Sequence, residues 1–263
     1  MYKKLSSLII FTLALCLVRS AIASTIWDDD ATSDHYWTTY GNWSSGPPSG
    51  LFESASIMTL TVGERGPIIT SSMSGLEVNN LHVEVPAGQT TVITMTGGDL
   101  TSQAEIWLIA GTGAGRAEFE MVDGLLTVGS ELRLGGYGTD GGHLQLNGGR
   151  VETSTLYIRD NGSIDISGTG ALVVDGDVTS QIQGFIGAGT VTAYDGAGEV
   201  LINYSGGKTT VTAAEQEAAH HPSPFDAGTE VAVDATLSWT AGDNTDSHDV
   251  YFGTDWKDRK SVV

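Results

Sequence analysis

Four segments of this chain repeat one another at short intervals: Met95-Thr-Gly-Gly-Asp-Leu100, Met121-Val-Asp-Gly-Leu-Leu126, Leu146-Asn-Gly-Gly-Arg-Val151 and Ile166-Ser-Gly-Thr-Gly-Ala171. Successive copies begin 26, 25 and 20 residues apart. Units of that size are too small to bury an apolar face alone and become stable when stacked, which is the signature of a solenoid. Inside the units apolar residues alternate with polar ones. Leu132 and Leu134 flank Arg133, Leu144 and Leu146 flank Gln145, Leu156 and Ile158 flank Tyr157, and Ile164 and Ile166 flank Asp165. Alternation with period 2 marks half-buried strands. Between them stand turn pairs such as Asp123-Gly124, Asp140-Gly141, Asn147-Gly148 and Asp175-Gly176, where glycine supplies the positive φ of a tight turn. Of the 35 glycines, 25 lie between Gly97 and Gly207, so glycine serves the repeat.

Short strands at this rhythm suit either a parallel β-helix or antiparallel hairpins making a sandwich or barrel. The β-helix is preferred, because a rung of 20 to 26 residues with three strands returns to its start and keeps every unit in one register. A sandwich does not require its units to resemble one another. The expected fold is therefore all-β: a parallel, right-handed β-helix over residues 57–212, its first apolar pattern at Ile57-Met-Thr-Leu60-Thr-Val62. The irregular segment 24–56, with Trp27, Trp37 and Trp43, is expected as an N-terminal cap, since terminal repeats must cover the open end of the stack. Residues 213–224 are expected as a linker with one short helical turn, and residues 225–263 as an incomplete β-sandwich with strands at Val231–Trp239 and His248–Phe252.

Lys3 and Lys4 precede an apolar run from Leu5 to Val18, and Ala21-Ile22-Ala23 places small residues before Ser24. This pattern predicts a secretory signal peptide, residues 1–23, and a secreted or cell-surface location. The only cysteine, Cys16, lies within that run, so the mature chain is expected to have neither disulfides nor a thiol nucleophile. Loss of Lys3, Lys4 and Arg19 leaves nine basic against 32 acidic residues, a charge of −23. Such a surface repels phosphate backbones and anionic lipid, so no nucleic-acid partner and no membrane insertion after signal cleavage are expected.

The tail carries Pro222-Ser-Pro224, Ala227-Gly228-Thr-Glu-Val231, Thr236-Leu-Ser-Trp239-Thr and Ser247-His-Asp-Val-Tyr251-Phe-Gly-Thr254-Asp255. Over about 35 residues it resembles the opening of fibronectin type III-like modules of secreted proteins from planctomycetes and related bacteria. That resemblance implies further strands, whereas the chain runs into Trp256-Lys-Asp-Arg-Lys-Ser-Val-Val263, so a truncated reading frame is expected. Trp37, Asn42-Trp43 and Pro47-Pro48, with the turns Thr96-Gly-Gly-Asp-Leu100 and Asn147-Gly-Gly-Arg-Val151, resemble Gly-rich extracellular β-solenoid proteins of the same bacteria. The resemblance implies a surface architecture and no defined reaction.

Stacking in register predicts outward columns. Aligning Ile106-Trp107-Leu108, Leu132-Arg133-Leu134 and Leu156-Tyr157-Ile158 puts Trp107, Arg133 and Tyr157 in one column, about 4.8 Å per step. A guanidinium between two aromatic rings makes a cation–π ladder that holds neighbouring strands, and a flat aromatic strip is also how proteins hold sugar rings. These three residues are the candidate glycan face. A second strand predicts the columns Glu118/His143/Ser163 and Glu120/Gln145/Asp165. Two carboxyls within about 5 to 9.5 Å would suit glycoside hydrolysis, but no feature supplies a cleft or a raised pKa, and a solvated acidic face is the reading kept.

Metal and cofactor motifs fall short. Gly135-Gly-Tyr-Gly138-Thr-Asp140-Gly-Gly-His143 begins like a calcium-binding nonapeptide and fails at Gly142, where a large apolar residue belongs. Asp28-Asp29-Asp30, Asp34 and His35 lack the glycine and distal glutamate of a calcium loop, and His220-His221 lacks a third ligand. Gly111-Thr-Gly-Ala-Gly115-Arg116 resembles a dinucleotide loop without the following helix. No catalytic residue, metal or cofactor is assigned. The expected function is an exported structural or adhesive β-solenoid that presents a repetitive face to extracellular polysaccharide or other surface proteins. The alternative is a polysaccharide-active β-helix enzyme or a carbohydrate-binding accessory module.

Overall fold

A computed structural model describes residues 23–31, 34–50, 53–57, 66–110, 115–136, 141–159 and 161–215, together with 220–223, 236, 238–240, 251–252 and 260–261 of the tail. The protein is an all-β solenoid of about five turns. Its strands are β1 (Ala23–Ile26), β2 (Glu53–Ile57), β3 (Ile68–Ile69), β4 (Leu76–Val78), β5 (Leu81–Val85), β6 (Thr90–Ser102), β7 (Glu105–Ala110), β8 (Arg116–Leu134), β9 (Gly142–Leu146), β10 (Arg150–Ile158), β11 (Ser163–Ile166) and β12 (Ala171–Asp175). After them come α1 (Thr179–Gly187), β13 (Val191–Ala193), β14 (Glu199–Ser205) and β15 (Lys208–Ala214).

The strands form three parallel ladders. In the first, β3, β6, β8, β9, β11 and β13 stack Ile69 on Met95, Met121, Leu146, Ile166 and Ala193. The repeat register read from the sequence is thus the observed one at Met95, Met121, Leu146 and Ile166. In the second, β4, β6, β8, β10 and β12 stack Leu76 on Leu100, Leu126, Val151 and Leu172. In the third, β1, β2, β5, β7, β8 and β10 stack Ala55 on Leu81, Ile106, Leu132 and Leu156. Most of these inward side chains are essentially inaccessible, and they merge into one core. β8 is long enough to contribute to all three ladders, bending at each corner.

The corners explain the repeated glycines. Gly98, Gly124 and Gly149 all have positive φ, at 79°, 104° and 72°, and stack at the corner between the first and second ladders. A Cβ on Gly124 would lie 2.6 Å from the Gly98 carbonyl oxygen, and one on Gly149 the same distance from the Gly124 oxygen. Turns can approach to strand spacing here only because neither glycine has a side chain.

Both ends depart from the repeat. Parallel pairing starts earlier than residue 57: β1 already pairs with β2, so the segment expected purely as cap contains part of the first turn. Trp27 follows Ile26 beside the Ile57 position, and the Trp37 backbone N–H donates to the Ile68 carbonyl. The two indoles therefore occupy the first inward places of two ladders. Trp43 packs edge-on against both, at 5.1 Å and 4.9 Å, and donates Nε1–H to the Trp37 carbonyl. Among the described residues three large rings close this end of the core.

At the other end the parallel rungs of the second ladder stop at Asp175, although repeats were expected to residue 212. β15 continues that ladder antiparallel to β12, and β14 folds back on β15. α1 covers the end of the third ladder, burying Ile182 and donating from Gln181 Nε2 to the Leu156 carbonyl. The expectation of repeats throughout did not include this helix, though Val178, Ile182, Phe185 and Ile186 carry its spacing. Lys208 clamps the end, bridging Glu152 and Asp175 at 3.3 Å each. The helical turn expected in 213–224 is not found among the described residues, where β15 reaches Ala214 and β16 (His220–Ser223) pairs antiparallel with β17 (Ser238–Thr240). In the expected second module, β17 and β18 (Tyr251–Phe252), which pairs with β19 (Lys260–Ser261), are described. Much of that module lies outside the described residues, as do residues 1–22 and Met58–Val62.

Replacing Gly124 with alanine should lower the unfolding free energy by about 2 kcal/mol or more. It places a side chain at positive φ and against a backbone oxygen that cannot move aside. Urea denaturation of the variant, beside an alanine substitution at the uncrowded Gly184 in α1, measures the difference.

Candidate functional site

The candidate glycan face is a closed stack of side chains. The register pairs Trp107 with Arg133 and Arg133 with Tyr157, as expected, and adds His82 beside Trp107. The His82 and Trp107 rings are stacked at 4.5 Å with an interplanar angle of 17°. Arg133 Cζ sits 4.7 Å from the Trp107 ring centre and 5.4 Å from that of Tyr157, and Arg159 Cζ lies 5.7 Å from the Tyr157 ring. Glu131 holds the guanidinium in place at 2.6 Å.

These positions decide what the column offers to solvent. His82 comes from the strand on one side of β7 and Arg133 from the strand on the other, so both faces of the Trp107 indole are covered. Sugar rings stack on exposed aromatic faces, and Trp107 has none to present. Tyr157 is the most open aromatic of the column, and a guanidinium already lies over its ring. The stack joins four consecutive turns, each contact contributing about 0.5 to 1.5 kcal/mol.

His82 was not singled out from the sequence, yet its place between Leu81 and Val83, 25 residues before Trp107, was available to the same alignment. Its Nε2 and the Trp107 Nε1 are buried with no hydrogen-bond partner among the described residues. Burial pushes the His82 pKa below its usual 6.5, against the pull of Glu105 and Glu84 in the opposite direction.

The second expected face divides in two. Glu118, His143 and Ser163 share one register position, and Glu120, Gln145 and Asp165 another, as the alignment placed them. Arg116 pairs with Glu118 at 2.8 Å, and His143 Nδ1 meets Ser163 Oγ at 2.6 Å. Asp165, expected as an outward acid on a solvated face, is instead only 8% exposed. The end cap folds over it: Thr192 Oγ1 and the Asp195 amide donate to its Oδ1 at 2.6 and 2.8 Å, and Gln145 Nε2 donates to its Oδ2 at 3.0 Å.

Over this carboxylate opens a hollow of about 420 Å³, walled by Gln145, Asn147, Ser167, Tyr194, Asp195 and Glu215, with Ala197 beside them. Its rim is a left-handed turn in which Tyr194, Asp195 and Gly196 have φ of 50°, 55° and 87°. The Tyr194 hydroxyl accepts from the Gly168 amide, and its ring lies where a side chain on Gly198 would stand. In the sequence Asp195-Gly196 is a turn pair of the same kind as Asp175-Gly176; the hollow depends on the cap that brings this turn to Asp165.

Of the remaining candidates, Asp29, Asp34 and His35 have structural partners. Asp29 and His35 meet at 2.6 Å. Asp34 accepts from Thr39 Oγ1 and the Tyr36 amide, which hold its carboxyl below the usual range. His220 and His221 belong to β16. Tyr137–Asp140 of the nonapeptide and Gly111–Ala114 of the glycine loop lie outside the described residues. Among the described residues no three His, Asp, Glu or Cys side chains are grouped to hold a metal ion.

Because folding depresses the His82 pKa, the unfolded chain takes up this proton first. Its contribution to stability is whole above about pH 6.5 and declines as the pH falls through the window between 6.5 and the lower folded value. His82→Phe keeps a ring against Trp107 and removes the unpaired nitrogen. It should raise stability at neutral pH by about 1 kcal/mol and flatten the loss between pH 7 and 5, measured as urea midpoints against pH.

In comparisons with protein-family models, with curated proteins and with solved structures, no family model, curated protein or solved structure matches the chain.

Proposed function

We propose that this protein is an exported, non-catalytic β-solenoid, a structural or adhesive element of the cell exterior, whose polar faces meet extracellular polysaccharide or other surface proteins. One observation carries the reading: the aromatic column His82–Trp107–Arg133–Tyr157 is turned upon itself, ring face against ring face or guanidinium, across four turns. Groups spent in this way stiffen a rod. The candidate face of Trp107, Arg133 and Tyr157 then acts through cohesion, and any adhesive contact uses ring edges and the flanking charges.

Export is supported by the Lys3-Lys4 start, the Leu5–Val18 run and the small residues before Ser24, and by a mature chain without cysteine. Cleavage after Ala23 leaves Ser24, Thr25 and Ile26 in place to pair with Ser54, Ala55 and Ser56. The tail is proposed as a fibronectin type III-like spacer on the strength of its Trp239 and Tyr251-Phe252 motifs. The polysaccharide-active alternative gains one point of support, the hollow over Asp165, which bears on binding more directly than on catalysis.

Trp107→Ala separates cohesion from sugar stacking. On the cohesive reading the variant loses about 2 kcal/mol of stability while its retention on insoluble polysaccharides stays as in the parent. Unchanged stability with lost retention would return the column to a glycan-binding role. Secretion of a product beginning at Ser24, read by N-terminal sequencing, tests the export step.

A further inference from the structure

We propose that the hollow beneath the Tyr194–Gly196 turn binds a hydroxylated sugar unit that carries no negative charge, most tightly one with a free ammonium group. This goes beyond the scaffold reading and does not depend on it, since the hollow and the aromatic column draw on different ladders.

The inference starts from the buried carboxylate of Asp165, which orients the polar groups around it. Its Oδ2 can only accept, so Gln145 must turn its amide nitrogen toward it. The same nitrogen donates to Asn147 Oδ1 at 3.1 Å, and Ser167 Oγ donates to that oxygen at 2.9 Å. Each amide therefore has one end committed and the other open. Among the described residues Gln145 keeps Oε1 as a free acceptor, and Asn147 keeps Nδ2 with two free donors. Tyr194, whose oxygen accepts from the Gly168 amide, retains its hydroxyl proton. The orientations of Gln145 and Asn147 descend from one group that is itself fixed by Thr192 and the Asp195 amide. Donors and acceptors held side by side complement vicinal hydroxyls, each of which both gives and takes a hydrogen bond.

Charge sets the class of sugar. Asp165, Asp195 and Glu215 stand at the hollow, and no lysine or arginine lines it. The chain around them has a net charge of −20. A uronate would meet uncompensated carboxylates, whereas an ammonium group would be attracted to the exposed Asp195. A volume of about 420 Å³ falls in the range of small-ligand clefts.

Calorimetry or ligand-observed NMR with three disaccharides tests the proposal: the unacetylated glucosamine dimer, cellobiose and digalacturonate. The glucosamine dimer should bind about tenfold more tightly than cellobiose at low salt, with the advantage shrinking at about 0.5 M salt, and digalacturonate should not bind. Asn147→Asp preserves the oxygen that Gln145 and Ser167 use, replaces the amide donors with an acceptor oxygen and adds a negative charge, so it should weaken binding of the uncharged cellobiose about tenfold. Asp195→Asn should leave cellobiose affinity intact and reduce the preference for the amine, the remainder resting on Glu215. Trp107→Ala should change neither affinity. Failure of both cellobiose and the glucosamine dimer to bind at about 10 mM would overturn the proposal. So would equal affinity for digalacturonate, or full cellobiose affinity in a folded Asn147→Asp protein.

Discussion

Everything in this protein depends on turns stacking in register at the spacing of hydrogen-bonded strands. Each inward position meets the same position of the next turn, so Ile69, Met95, Met121, Leu146 and Ile166 form a continuous apolar seam. The spacing must hold at the corners as well as along the strands. That is where Gly98, Gly124 and Gly149 matter: the carbonyl of one turn occupies the place a side chain would take on the next. Repeat length can vary from turn to turn, as it does here, because extra residues leave at other corners while the three ladders keep their alignment.

Stacking has the same effect outside as inside: whatever occupies an outward position is brought against its counterpart one turn away. Like charges placed so close would repel, and alternating ring and guanidinium is one arrangement that turns the enforced proximity into attraction. In the His82 to Tyr157 column the attraction uses the ring faces, which removes them from any other role. The neighbouring acids are met in a similar way, Arg116 pairing with Glu118, Arg133 with Glu131 and Arg150 with Glu152, each two residues apart on one strand. With so few basic residues, placing them beside acids on the same outward face limits repulsion in a strongly acidic chain.

A stack has two ends, and neither can be solved by the repeat. At the start, Trp27, Trp37 and Trp43 fill the open core with rings. At the finish each ladder ends differently: β13 extends the first, β15 reverses direction on the second, and α1 lies over the third. Joining three unlike endings requires irregular backbone, and the left-handed turn at Tyr194 and Asp195 is part of it. Non-glycine residues rarely hold such φ values without support from their surroundings. Here the Asp195 amide is anchored to Asp165, and the hollow is the space left between the turn and the last regular strands.

Residue pattern alone determined the strands, their inward and outward faces, the stacking register and the outward columns, because alternation and repeat spacing are local properties that parallel stacking preserves. Trp107, Arg133 and Tyr157 could be placed together on that basis, and counting one unit further back reaches His82. Which atoms of those side chains remain available was settled only by three-dimensional packing, since ring orientation depends on neighbours from both adjacent turns. Asp165 shows the limit most clearly: its alternation marks it as an outward acid, and it does point outward, yet the returning chain buries it. The short strand β13 and the left-handed turn after it make that cover, and that turn belongs to no repeat, so a periodic reading of the sequence had no means of placing it.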